Sequence, residues 1–292
     1  MKETAMKAYR GIERVIASQV APVGTFTVRR ALPDRARHAV GPWVFLDHFG
    51  PFPIRPGDAG VGPHPHAGIE TVTYLLTGRN EHRDSAGHHG IVSAGGAQWM
   101  TAGRGIVHAE KPLAKRDEEL TQHGIQLWTS LPRALKMMPP RYQRIEAAAI
   151  PEVDRGGTSI RVVGGEFEGT RGPAETLMPL LLWHVSIPAG GTFETPLTGA
   201  FESAAYVIEG EGTFGNDGDA KASAGTLVVW ENVEGAIRAA NAGPGRLELM
   251  VLGGAPAEGP LVFHGPFVMN SVEQVRAADI AYRTGRMGEL SE

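Results

Sequence analysis

The apolar residues of this chain fall in short runs that alternate with polar ones and stop at glycine. The segment HPHAGIETVTYLLTG from His64 and the segment PLTGAFESAAYVIEG from Pro196 both have this form. They align without a gap at a shift of 132, with Glu70 on Glu202, Tyr74 on Tyr206 and Gly78 on Gly210. Each reads as a strand, because strand side chains alternate between two faces and glycine supplies the turn that ends the run. A second pair, GGAQWMTAGRGIVHAE from Gly95 and AGTLVVWENVEGAIRAA from Ala224, follows in the same order at a shift of 130. Two blocks at nearly one offset predict an all-β protein built by internal duplication. The adjacent prolines of MMPPRYQRI put the seam there, with one unit over residues 1–140 and another over 141–292. One short helix is expected at the carboxyl end. Ser271 and Gln274 have capping-box spacing, Val272, Val275 and Ala278 form an apolar stripe, and Gly285 follows as a stop.

Composition agrees with a turn-rich, folded chain: 39 glycines and 21 prolines in 292 residues accompany 42% hydrophobic residues, too many for a disordered protein. The net charge of −4 and the lack of any basic block remove the usual footprint of direct nucleic-acid or anionic-membrane binding. The amino-terminal stretch mixes charges throughout and lacks a signal peptide's apolar core, so a soluble, cytoplasmic protein is expected. With no cysteine, disulfides, thiolate metal sites and cysteine nucleophiles are excluded, and any metal must be held by His, Asp or Glu. The phosphate-binding loop, the dinucleotide fingerprint and the serine nucleophile elbow are all missing.

His64 and His66 form a His-x-His pair, and His108 and Glu110 a His-x-Glu pair, each in a glycine-bounded strand context. Residues two apart on a strand share a face, so two strands would direct four donors into one barrel interior. Three imidazoles and a carboxylate suit Fe(II), Mn(II), Co(II), Ni(II), Cu(II) or Zn(II), and leave an octahedral ion about two positions for substrate or dioxygen. The competing reading is a group of histidines that only hydrogen-bond one another. Glu70 shares the strand parity of His64 and His66 and is a rival fourth donor. In the second copy the aligned positions are Pro196, Thr198, Arg238 and Ala240, whereas Glu202 keeps the Glu70 carboxylate. A carboxylate retained where the other donors are lost points to a packing or hydrogen-bonding role, so Glu110 is favoured as ligand and one metal site is expected, in the first unit.

The remaining histidines are expected outside the site: His48 in a turn, His82, His88 and His89 exposed at a hairpin tip, His123 and His184 beside the core, and His264 without a partner at ligand spacing. Met137, Met138 and the five tryptophans are assigned to packing, and the DEEL cluster from Asp117 to a solvated loop.

At these residues the chain resembles the pirin family, a two-barrel branch of the cupins. The blocks FLDHFGP, HPHAGIETVTYLLTG, QWMTAGRGIVHAEKP, HGIQLWTSLP, KMMPPRYQ, GPFVMN and AYRTGRMG stand in pirin order between about residues 10 and 288. The resemblance implies two jelly-roll barrels with a metal on His64, His66, His108 and Glu110, usually Fe(II). It implies a mononuclear dioxygenase acting on a small phenolic or enolic substrate and O2, as in bacterial members that open flavonols such as quercetin with release of CO. Glu110 would then be catalytic as well as a ligand. It implies as an alternative an iron-containing redox sensor that regulates a protein partner. A monomer is expected.

Overall fold

The computed structural model describes residues 9–114, 120–216 and 218–290; residues 117–119 of the DEEL cluster lie outside them. Strands dominate, and the one α-helix among the described residues is Val272–Arg283. Among the described residues no helix is long and apolar enough to cross a membrane.

The chain divides into two compact units of like construction. Of the described residues, the first comprises those within Gln19–Ile150, Pro173–Met178 and 257–290; the second comprises those within 9–18, Pro151–Gly172 and Pro179–Pro256. Each holds a seven-stranded and a four-stranded antiparallel sheet, the two-layer arrangement of a jelly roll. In the first unit the four-stranded sheet runs Val61–His66, Ile106–Pro112, Arg79–Asp84, His89–Ser93. In the second it runs Thr192–Leu197, Gly235–Asn241, Glu211–Phe214, Ala220–Ser223, the same order of hairpin partners. This is the duplicated all-β architecture that the repeats predict.

The units exchange their ends, in place of the single boundary expected after residue 140. Strand Ile12–Ala17 pairs with Thr226–Trp230 and so belongs to the second unit. Beside it the buried Arg10 guanidinium donates to the carbonyls of Phe201, Leu197 and Thr198 and to Ser203 Oγ. The MMPPRYQRI segment is no seam either: Arg141–Ile145 pairs with Ala97–Thr101 at the edge of the first unit's larger sheet. The prolines stop the preceding turn without preventing a strand immediately after them.

The carboxyl-terminal hairpin, Val262–His264 with Phe267–Met269, and the helix complete the first unit. Val275 and Ala278 pack with Phe267, Met269 and Met287 against Ala67 and Val107. Ser271 Oγ caps the helix by accepting from Gln274 N–H, while Gln274 Oε1 accepts from Asn270 N–H. Val272, expected in the apolar stripe, is exposed, as is Met137. Gly285 ends the helix at φ +70°. The close approach of this segment requires glycine at position 68: its φ is +77°, and a Cβ would lie 2.2 Å from Val268 O.

Candidate metal centre

His64 and His66 close strand Val61–His66, and His108 and Glu110 lie on its neighbour Ile106–Pro112, with His108 opposite His64. The pleat turns both pairs to the interior. One nitrogen from each of His64, His66 and His108 lies within 4.8 Å of the other two, and these imidazoles alone form the group. His66 and His108 are buried and His64 is half-buried. His64 Nδ1 meets Gly62 O at 2.8 Å and His66 Nδ1 meets Pro266 O at 3.2 Å, so Nε2 of each is left for the cluster. Burial, reinforced by His64, holds His66 down to about 3 and His108 well below the ordinary imidazole range. Both are therefore neutral near pH 7, the form that ligates metals. His108 Nε2 is buried and has no hydrogen-bond partner. Buried polar atoms are rarely left so, and an orphaned imidazole nitrogen beside two other imidazoles fits a divalent transition metal, with no selection among the candidates.

Glu110, expected as fourth donor, sits two residues beyond His108 with its carboxylate engaged by four uncharged groups. Thr73 Oγ1 at 2.7 Å, Asn80 Nδ2 at 3.3 Å and Gln98 Nε2 donate to one oxygen, and Gln126 Nε2 at 2.8 Å donates to the other. Glu70 is fully buried elsewhere, accepting from the hydroxyls of Thr101 and Thr129 at 2.8 and 3.2 Å. That is the hydrogen-bonding role the duplication favours for it. Burial raises its pKa, against the opposing effect of those donors.

The sequence reading missed the groups behind the imidazoles. His82, expected at an exposed hairpin tip, is 1% exposed on strand Arg79–Asp84. Its Nδ1 is 3.5 Å from His108 Nδ1, and its Nε2 is 3.0 Å from Asp84 Oδ2. Asp84 also meets His88 Nδ1 and accepts from the backbone N–H groups of Ala86 and His88. Burial pushes its pKa up, but these hydrogen bonds, led by that of His82, outweigh burial and hold it below the usual range. Tyr142 stacks on the His82 ring at 4.4 Å, and Trp128, expected only to pack, meets His66 edge-on at 4.8 Å. The available signal was parity: Asn80, His82 and Asp84 alternate with Arg79, Glu81 and Arg83, but both faces are polar and hydrophobic patterning is silent. His48 is likewise no turn residue. It is buried in strand Trp43–Ile54, its Nε2 2.6 Å from His123 Nε2. His184 pairs with Glu248 at 3.0 Å, and His264 is exposed.

A cavity of about 560 Å³ opens onto Glu110. Thr73, Asn80, Gln122 and Gln126 supply its polar wall, and Phe26, Phe49, Phe52 and Ile54 much of its apolar wall. Asp47 also lines it, fixed by two hydrogen bonds from Arg30 at 2.8 and 2.7 Å. The volume is within the range of small-molecule sites.

In the second unit, Arg238 and Pro196, at positions aligned with metal donors, do not face the core. The interior positions of the paired strands are Phe193, Ile237 and Ala239, which join Phe214 and Trp230 in an apolar cluster. Among the described residues the His64–His66–His108 group is the one candidate metal site.

Comparison with known proteins matches this arrangement. A family model described as Pirin covers residues 25–129, and one described as Pirin C-terminal cupin domain covers residues 182–288. The chain is 36% identical over 261 residues to a pirin-like protein of Solanum lycopersicum, covering 89% of this chain and 87% of that one. It is 35% identical over 265 residues to pirin of Homo sapiens, covering 89% and 88%. A crystal structure of quercetin 2,3-dioxygenase from Acinetobacter baumannii superposes with a TM-score of 0.89 at 29% identity, covering 97% of this chain and 100% of that one.

Proposed function

The chain belongs to the pirin family, and from that premise we propose that it is a mononuclear, Fe(II)-dependent dioxygenase that opens flavonols such as quercetin with O2 and releases CO. One observation carries the reading: three imidazoles converge beside Glu110, which sits two residues beyond His108 on the same strand, and Glu110 lines a cavity of about 560 Å³. The quercetin dioxygenase fold neighbour supports the substrate class.

His64, His66 and His108 hold the metal in this reading, with Glu110 as fourth donor. The chemistry supplied by the bound ion is activation of dioxygen beside an electron-rich enolate. Phe26, Phe49 and Phe52 take the apolar rings and exclude water. Glu110 takes the proton of the substrate's enolic hydroxyl at Oε2, the oxygen with a single donor, Gln126. Thr73, Asn80 and Gln98 hold the other oxygen and fix the direction in which Oε2 points.

Anaerobic loading with Fe(II), Mn(II), Co(II), Ni(II) or Cu(II), followed by oxygen-uptake measurement with quercetin, tests this. Uptake with CO release is expected with Fe(II). No uptake with any of the five overturns the flavonol reading. Glu110→Gln is expected to lower turnover by about 10²-fold or more, the usual contribution of a positioned general base.

A further inference from the structure

We infer that His82 and Asp84 are positioning residues for the metal ligand His108, setting its tautomer through a chain of hydrogen bonds, Asp84 to His82 to His108. The inference rests on the reading of His64, His66 and His108 as ligands and concerns a part of the site outside that ligand set.

The ligand role of His108 sets the donor in each contact of the chain. A ligating nitrogen presents a lone pair, so with Nε2 as the ligand atom the proton of the His108 ring stands on Nδ1. The group that accepts it is His82 Nδ1, 3.5 Å away. Asp84 is a buried carboxylate and offers only acceptors, so His82 Nε2, 3.0 Å away, carries a proton toward it. His108 Nε2 is the buried nitrogen without a partner beside the other two imidazoles. The ligand nitrogen is thus prepared by a carboxylate two side chains away. Outer hydrogen bonds of this kind orient ligating histidines and raise their basicity.

The rest of the structure holds this chain in place. Tyr142 lies flat on the His82 ring, with 14° between the planes, and so blocks its rotation. Asp84 is kept in position by His88 and by two backbone N–H groups in addition to His82. In the ladder His82 stands opposite Glu110 and Asp84 opposite His108, so the pair is built on the strand next to the ligands. The second unit shows the same ladder without this function. Its inward-facing pair is Phe214 opposite Ala239, so the barrel that lacks the donor imidazoles also lacks the group that would orient one.

The first test uses the unmodified apoprotein. Nitrogen-15 NMR of its histidines is expected to find His108 protonated on Nδ1; protonation on Nε2 overturns the inference whatever the variants do. The second test uses substitutions and reads metal affinity by competition with a chelator. His82→Phe keeps a ring on Tyr142 and removes both nitrogens, and is expected to weaken Co(II) binding about 10–100-fold and to alter the visible spectrum of the Co(II) protein. His82→Gln offers one amide donor to Asp84 and one carbonyl acceptor to His108, and is expected to recover most of the affinity. Wild-type affinity and spectrum in a folded His82→Phe protein overturn the inference. Should that variant not fold, Asp84→Asn and the apoprotein spectrum decide instead. Absence of metal binding by the wild-type chain would count against the metal reading, while the tautomer measurement still decides the inference.

Discussion

At the scale of single residues, the neutral buried imidazoles link the apoprotein's stability to pH. An unfolded histidine takes a proton near its ordinary value of 6.5, whereas burial holds His66 and His48 down to about 3 in the folded chain. Between those values the unfolded state binds more protons, so stability rises with pH. The contribution is complete above about 6.5 and is lost as the pH falls toward 3. The denaturation midpoint of the apoprotein is expected to fall as the pH is lowered from 7 to 4, and the fall between 6.5 and 5 should be shallower in His48→Phe and His66→Phe. An equal slope in both variants would contradict this assignment. Glu70 shows what the internal repeat conveys: the duplication favours a packing or hydrogen-bonding role for it, and its carboxylate accepts from the hydroxyls of Thr101 and Thr129. His82 shows the opposite. Its neighbours Arg79, Glu81 and Arg83 resemble an exposed tip, and only the ladder turns His82 inward.

At the scale of elements, the carboxyl-terminal hairpin is fastened to the turn that follows His66. Lys136 is fully buried, and its ammonium donates to Gly68 O at 2.9 Å, Val268 O at 2.8 Å and Ser130 Oγ at 3.0 Å, one acceptor for each N–H. Burial lowers its pKa to about 8. Lys136→Met keeps much of the volume but leaves those acceptors without their donor. The expected loss is about 2–4 kcal/mol, read by urea denaturation; a change under about 0.5 kcal/mol would show that the three bonds contribute little. The helix was legible from its cap and stop signals, because those are local. Its destination in the first unit was not, because the packing of Val275 and Ala278 against Ala67 and Val107 joins residues far apart in sequence.

At the scale of the whole molecule, duplication yields two barrels of one topology and opposite interiors. The first holds the three imidazoles and a cavity whose polar wall is made of amides, hydroxyls and carboxylates, and the second is filled by Phe193, Phe214, Trp230 and Ile237. Metal loading followed by removal of excess ion is therefore expected to leave about one ion per chain, and His66→Ala and His108→Ala to leave almost none. Two ions in the wild-type chain, or one in either variant, would refute the assignment. By itself the sequence determined the all-β duplication and the grouping of the three histidines, since strand parity and internal repeats are properties of neighbouring residues. Tertiary structure alone decided the exchange of chain ends between units, the polar network that engages Glu110 and the His82–Asp84 pair behind His108. Those features depend on cross-strand register and burial, which bring residues from distant parts of the chain together and leave no periodic signal in a barrel whose interior is itself polar.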